Sequence, residues 1–276
     1  MRDAILRRVS TRTYKKEILS NDEVSNILSI IDKYNKIKGP FGNSFDFSFT
    51  LNNSNDENGK KIGTYGLIKN VPAFIGGTSN NSFESIVDFG YVLEYIILEL
   101  TKFDFDTCWL GGTFNRKDYK RDLQKDEIIP AITPVGHRGD KRSLVDKAIR
   151  TGAESANRLP ISEIFCYYNE EKEMVLEPDN PILSSLSLVR RGPSASNKQP
   201  WRIRVDKDKV HFYIKRTPNY PGVSLGYDIQ ALDIGIALCH YEVGMNYFEK
   251  KLEYLQEDNL NTIDNCIYVI SVKTKT

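Results

Sequence analysis

The stretch Gly192-Pro193-Ser194-Ala195-Ser196-Asn197-Lys198-Gln199-Pro200-Trp201 decides how the rest of the sequence reads. Two prolines fix its backbone, while Ser and Asn supply short polar groups between them. A loop so constrained can present amides and hydroxyls to a flat polar ligand, although the same residues would also suit an ordinary turn before a strand. Upstream, Pro181–Val189 reads as an apolar helix. Downstream, Trp201–Val205 and Val210–Ile214 read as a hairpin. Asp228–Tyr247 is the next helix, with Leu232, Ile236, Cys239 and Val243 on one face, and Ile267–Val272 is a closing strand.

A related order occurs earlier. A short helix at Arg2–Arg8 precedes one capped by Ser20, with Glu23 completing a capping box and Val24, Ile27, Leu28 and Ile31 in one stripe. Gly39-Pro40 follows. Phe45, Phe47, Phe49 and Leu51 alternate with polar residues, which predicts a half-buried strand. Asn52–Lys61 reads as an exposed loop, and Val71–Ile75 as a short buried strand. Ser82–Phe103 carries apolar residues over so wide an arc that the helix must be buried. Ile128–Gly136 reads as a strand and Lys141–Asn157 as a charged helix. Gly39-Pro40 pairs with Gly192-Pro193 at an offset of 153 residues, and Asp88-Phe89-Gly90 with Asp233-Ile234-Gly235 at 145. The spacing fits two diverged copies of one unit.

Composition narrows the function. In 276 residues, 38 Lys plus Arg stand against 37 Asp plus Glu, too even a balance for a nucleic-acid binder resting on bulk positive charge. No run of eighteen apolar residues exists to span a membrane. Met1–Arg12 is charged from the start and lacks the apolar core of a signal peptide. The four cysteines are scattered without a Cys-x-x-Cys pair, which fits core thiols in a reducing, cytoplasmic setting. Three histidines without paired spacing do not suggest zinc.

Two further segments carry possible chemistry. Arg7-Arg8-Val9-Ser10-Thr11-Arg12 groups three guanidiniums with a hydroxyl, a set able to grip phosphate. Trp109-Leu110-Gly111-Gly112 offers glycines that let a ligand approach main-chain N–H groups.

Taken together, the Arg-Arg-x-Ser-x-Arg start, the Trp-Leu-Gly-Gly segment and the Pro-Ser-x-x-Asn-x-Gln-Pro-Trp loop resemble the nitroreductase family of FMN-dependent oxidoreductases. Asn157-Arg158-Leu159-Pro160 resembles that family's late Arg-x-Pro element. The order is unusual. The Pro-Ser loop, expected soon after the Arg-rich start, lies far downstream, and the early position holds the degenerate Gly39-Pro40-Phe41-Gly42-Asn43-Ser44.

The resemblance implies an α+β, nitroreductase-like fold. Residues 1–158 and 159–276 would be two halves with antiparallel or mixed sheets flanked by helices, clasped as an internal pseudo-dimer around one FMN. It implies that Arg8 and Arg158 meet the FMN phosphate, with Val9 and Ser10 beside it and Arg12 at the ring's polar edge. Leu110, Gly111 and Gly112 would line the ring. Pro193, Ser194, Ala195, Ser196, Asn197 and Gln199 would reach across from the second half. NAD(P)H would give hydride to the flavin and a small nitroaromatic or quinone-like acceptor would take it, in ping-pong order, with no protein nucleophile and no metal. Alternatives within the resemblance are a protein that stores FMN without turnover, and a reductive dehalogenase or flavin-consuming relative. A monomer is expected, with further pairing left open.

Overall fold

The chain begins with a short helix, α1 (Arg2–Arg7), and a longer one, α2 (Asn21–Asn35). The expected capping box closes at the start of α2. The Glu23 N–H donates to the Ser20 hydroxyl and the Ser20 N–H donates to the Glu23 carboxylate. These elements, and those below, come from a computed structural model that describes residues 1–52, 62–119, 122–140, 157–220, 225–258, 260 and 265–275.

The first part of the chain continues with β1 (Ser48–Leu51), β2 (Ala73–Gly76), β3 (Ser79–Asn80), the helix α3 (Phe83–Lys102), β4 (Asp106–Thr107), β5 (Glu127–Ile128) and β6 (Ile132–Gly136). One sheet runs β1-β2-β6-β4, antiparallel throughout, and β3 pairs with β5 apart from it. The later part supplies α4 (Ile161–Ile164), β7 (Phe165–Tyr167), α5 (Pro181–Val189), β8 (Trp201–Asp206), β9 (Lys209–Ile214), α6 (Gln230–Tyr247), β10 (Leu252–Leu255) and β11 (Ile267–Thr274). Its sheet runs β10-β11-β9-β8-β7, mixed because β7 lies parallel to β8. The fold is therefore α+β, and each sheet is built from one part of the chain.

The two parts meet where α3 crosses α6. Every residue of α3 from Ser85 to Leu100 is buried, as its wide apolar arc requires. At the crossing, a Cβ on Gly90 would stand 2.4 Å from the Leu232 carbonyl oxygen, and one on Gly235 would stand 2.0 Å from that of Val87. Each glycine lies two residues after an aspartate, Asp88 or Asp233. Each touches the residue just before the other aspartate. Such reciprocity is what a two-fold axis between like surfaces produces.

The same two aspartates hold the two Gly-Pro loops. Asp88 accepts from the Phe41 N–H (3.0 Å), the Asn43 N–H (3.0 Å) and the Asn43 side-chain amide (2.8 Å). Asp233 accepts from the Ala195 N–H at 2.9 Å.

Two expected strands are shorter than their patterns. The alternation at Phe45 and Phe47 buries both rings, yet pairing begins only at Ser48. The Asn35 amide takes both backbone groups of Phe47, accepting from its N–H at 2.9 Å and donating to its carbonyl at 3.0 Å. The Ile128–Gly136 strand is broken around Pro130, whose ring removes a ladder donor. Its first piece pairs with β3 and its second with β2 and β4. The charged helix expected at Lys141–Asn157 and the loop at Asn52–Lys61 lie outside the described residues but for Asn157 and Asn52. Cys108 and Cys239 are buried while Cys166 and Cys266 are partly exposed, and all four are free thiols.

Candidate functional site

α1 ends at Arg8, where the backbone turns extended and runs alongside β4. The Thr11 N–H donates to the Thr107 carbonyl, and buried Tyr14 donates its hydroxyl to the Thr11 carbonyl, packing beneath the Arg segment. This places Arg8, Val9, Ser10 and Arg12 on one wall of a cavity of about 600 Å³. Leu110, Gly111 and Gly112, just after β4, form a second wall. Arg158 closes it together with the Pro193, Ser194, Ala195, Ser196 and Asn197 loop of the later part of the chain. Thirteen of the fourteen residues expected from the sequence, from Arg8 to Asn197, thus meet in one place.

Gln199 is the exception. It is buried behind the loop, with its side-chain oxygen accepting from the Leu159 N–H and its amide donating to the Asn197 carbonyl. It shapes the loop and does not line the cavity. The loop holds Ser196, Asn197 and Gln199 at positive φ, a conformation that costs non-glycine residues about 1 kcal/mol or more each.

The basic end of the cavity is crowded. Arg158 donates to the Asn197 side-chain oxygen (3.2 Å) and to the Arg191 carbonyl (3.2 Å). Burial first, then the like charges of Arg8, Arg190 and Arg191, push the Arg158 guanidinium below the usual arginine range. The Arg8 side chain is nine-tenths buried and its Nη1 meets no hydrogen-bond acceptor. Arg8 reaches Glu94 only at 4.0 Å, through Nε. Glu94, fully buried on α3, is itself engaged by the Trp109 indole N–H at 2.7 Å and by His240 Nε2 at 2.8 Å. His240 Nδ1 lies 2.9 Å from the Leu188 carbonyl, which can only accept, so that nitrogen carries a proton. A concentration of guanidiniums with an unpartnered buried donor calls for an anion.

Several lining residues were not anticipated. Arg191 stands immediately before the diagnostic loop, and its position in an Arg-Arg pair was the available signal. Tyr220 donates its hydroxyl to the Ser196 hydroxyl at 2.9 Å. Asp233 was noticed only as part of the repeat. It is fully buried, its second oxygen meets no donor, and burial pushes its carboxyl well above the usual carboxylate range. The apolar walls, among them Leu67, Ile68, Leu225 and Ile229, come from loops and helix ends that no periodic pattern marks. Among the described residues there is no His/Cys/Asp/Glu cluster that could hold a metal, and no helix is long and apolar enough to cross a membrane.

Comparison with known proteins gives a family and a likeness of fold. The family model described as Putative TM nitroreductase matches residues 1–245. A putative nitroreductase of Thermotoga maritima shares 19% identity over 99% of this chain and 92% of its own, with a TM-score of 0.60, a likeness of fold. A nitroreductase of Bacteroides fragilis with bound FMN aligns over 51% of this chain and 90% of its own at 15% identity, TM-score 0.38. A nitroreductase family protein of Clostridium novyi aligns over 52% and 89% at 19% identity, also at 0.38. No curated protein matches the sequence.

Proposed function

Because the chain belongs to the Putative TM nitroreductase family, we propose that it is an FMN-dependent oxidoreductase that draws hydride from NAD(P)H and delivers it to a small, flat organic acceptor. The observation that carries this reading is the buried, unpartnered Nη1 of Arg8 beside Arg158 and Arg191 at one end of the cavity. A phosphate dianion would satisfy the orphaned donor and relieve the repulsion among the guanidiniums. The donor set therefore fits FMN. Arg8, Arg158 and Ser10 hold its phosphate end, with Val9 alongside, and Arg12 sets a fixed cation at the ring edge where reduction places negative charge. Leu110, Gly111 and Gly112 border the ring. The Pro193–Asn197 loop closes the site from the other side, anchored by Asp233.

Bound there, FMN supplies hydride transfer that no side chain offers. The chain's own work is to hold the cofactor, keep water from it with apolar walls, and leave one opening through which donor and acceptor pass in turn. In this reading residues 1–158 and 159–276 are two diverged halves with one site per chain.

Reconstitution should give one FMN per chain, and anaerobic NADH or NADPH should bleach it. Arg8→Ala should weaken FMN retention tenfold or more, as loss of a charged hydrogen-bond partner of about 1.5–3 kcal/mol implies. A chain that takes up no FMN overturns the assignment. Bound flavin that neither nucleotide bleaches makes the protein a flavin holder and not an enzyme.

A further inference from the structure

Arg116 lies beyond the cavity, on the far side of the Gly111–Gly112 peptide. It is half-buried, and among the described residues no carboxylate pairs with it. Its charge is spent on carbonyls instead. Nε donates to the Ile129 carbonyl at 3.1 Å, and Nη2 donates to the Gly111 carbonyl and to the Tyr227 hydroxyl, the latter at 2.7 Å. Tyr227, from the later part of the chain, donates to the Pro130 carbonyl at 2.6 Å and shares its proton with the Gly111 carbonyl at 3.2 Å. The guanidinium also stacks against Phe114 and Tyr227, with its central carbon 4.7 and 5.4 Å from the ring centroids. Burial pushes the Tyr227 phenol up to about 12, so it remains a proton donor at any ordinary pH.

The Gly111 carbonyl is thus gripped from both parts of the molecule. Among the described residues no peptide is cis, and a trans peptide carries its C=O and N–H in opposite directions. With the carbonyl pinned toward Arg116 and Tyr227, the N–H of Gly112 turns back toward the cavity that both glycines line. No described residue accepts from it. A cation on the carbonyl oxygen polarises the peptide and strengthens that N–H as a donor.

The geometry points to Arg116 and Tyr227 as positioning residues that orient and polarise the Gly111–Gly112 peptide, so that its N–H, a fixed donor facing the cavity, stabilises one redox state of the flavin there more than the other. The inference rests on the FMN reading above.

The test measures FMN affinity in both redox states on the holoprotein, with the midpoint potential and thermal unfolding alongside. Tyr227→Phe should change the ratio of affinities for reduced and oxidised flavin about tenfold, a shift of about 30 mV for a two-electron couple. Arg116→Met should change it further in the same direction. Arg116→Lys, which keeps the charge but not the fork, should fall between Arg116→Met and the parent. A merely structural role would weaken both redox states alike and leave their ratio unmoved. If the parent binds FMN and the ratio shifts less than twofold in Tyr227→Phe, the clamp is refuted while the FMN assignment stands, whether or not the Arg116 variants fold. If the parent binds no FMN, both fall.

Discussion

The loops at residues 39–44 and 192–199 begin with the same Gly-Pro pair and are held by corresponding aspartates, yet they serve opposite ends. Around Asp88, three donors from Phe41 and Asn43 occupy both carboxylate oxygens, and the loop folds shut on its own helix. Around Asp233, among the described residues, only the Ala195 N–H is supplied. The corresponding asparagine, Asn197, turns instead toward Arg158 and the Asn157 carbonyl, and the loop lines a cavity. The difference teaches that closing or opening such a loop can turn on where one asparagine side chain is directed.

The largest expected effect tests the crossing that relates the two loops. Gly90→Ala and Gly235→Ala each force a methyl group against backbone that cannot retreat, and each should cost about 3 kcal/mol or more in denaturant unfolding. Comparable losses would sharpen the reciprocity. A loss under about 1 kcal/mol at either glycine would break it.

Next come the aspartates. Asp88→Asn sets an amide against two existing donors and should destabilise by about 1–3 kcal/mol. Asp233→Asn keeps its acceptor for Ala195 and should change stability by less than about 1 kcal/mol at neutral pH. The sign with pH follows from burial. Asp233 has a raised folded pKa, so its stabilising contribution is complete below the unfolded value near 4 and is lost as pH rises through the folded pKa. Melting curves should therefore show the parent gaining on Asp233→Asn as pH falls toward 4. A gap that widens with rising pH in the parent's favour would contradict a neutral Asp233.

The smallest effect concerns the asparagines. Asn197→Ala should weaken FMN binding about fivefold to tenfold, by roughly 1 kcal/mol, because Arg158 loses an oxygen that aims it. Asn43→Ala should leave FMN affinity unchanged and lower stability instead. Equal effects of the two on FMN titrations would erase the distinction between the loops.

The long helices, the capping box and the hairpin were legible because each has its own period or end signal. α3, β8 and β9 fall where the pattern places them, and α6 begins two residues later. The two-residue strands β3 and β4, the edge strand β10, and the α4–β7 step were not legible. Their pairing is granted by neighbours, not by alternation. At Phe47 the opposite happened, where a sound alternation yielded to the Asn35 amide. Most of the cavity's polar residues stood in short motifs and were readable, whereas Arg191, Tyr220 and Asp233 were not. Gln199 belonged to the same motif, but its burial behind the loop could not be inferred from spacing. Arg116 and Tyr227 act through a peptide 111 residues apart in sequence, and no local pattern announces such a meeting.

The cavity takes its walls from Ile5 to Thr113 and from Arg158 to Ile236 of a single polypeptide. A chamber shared by separate subunits comes apart on dilution, whereas this one is tethered and its assembly is concentration-independent. A mutation here also strikes once. In a symmetric pair every change is written into both copies, but these two regions can drift independently.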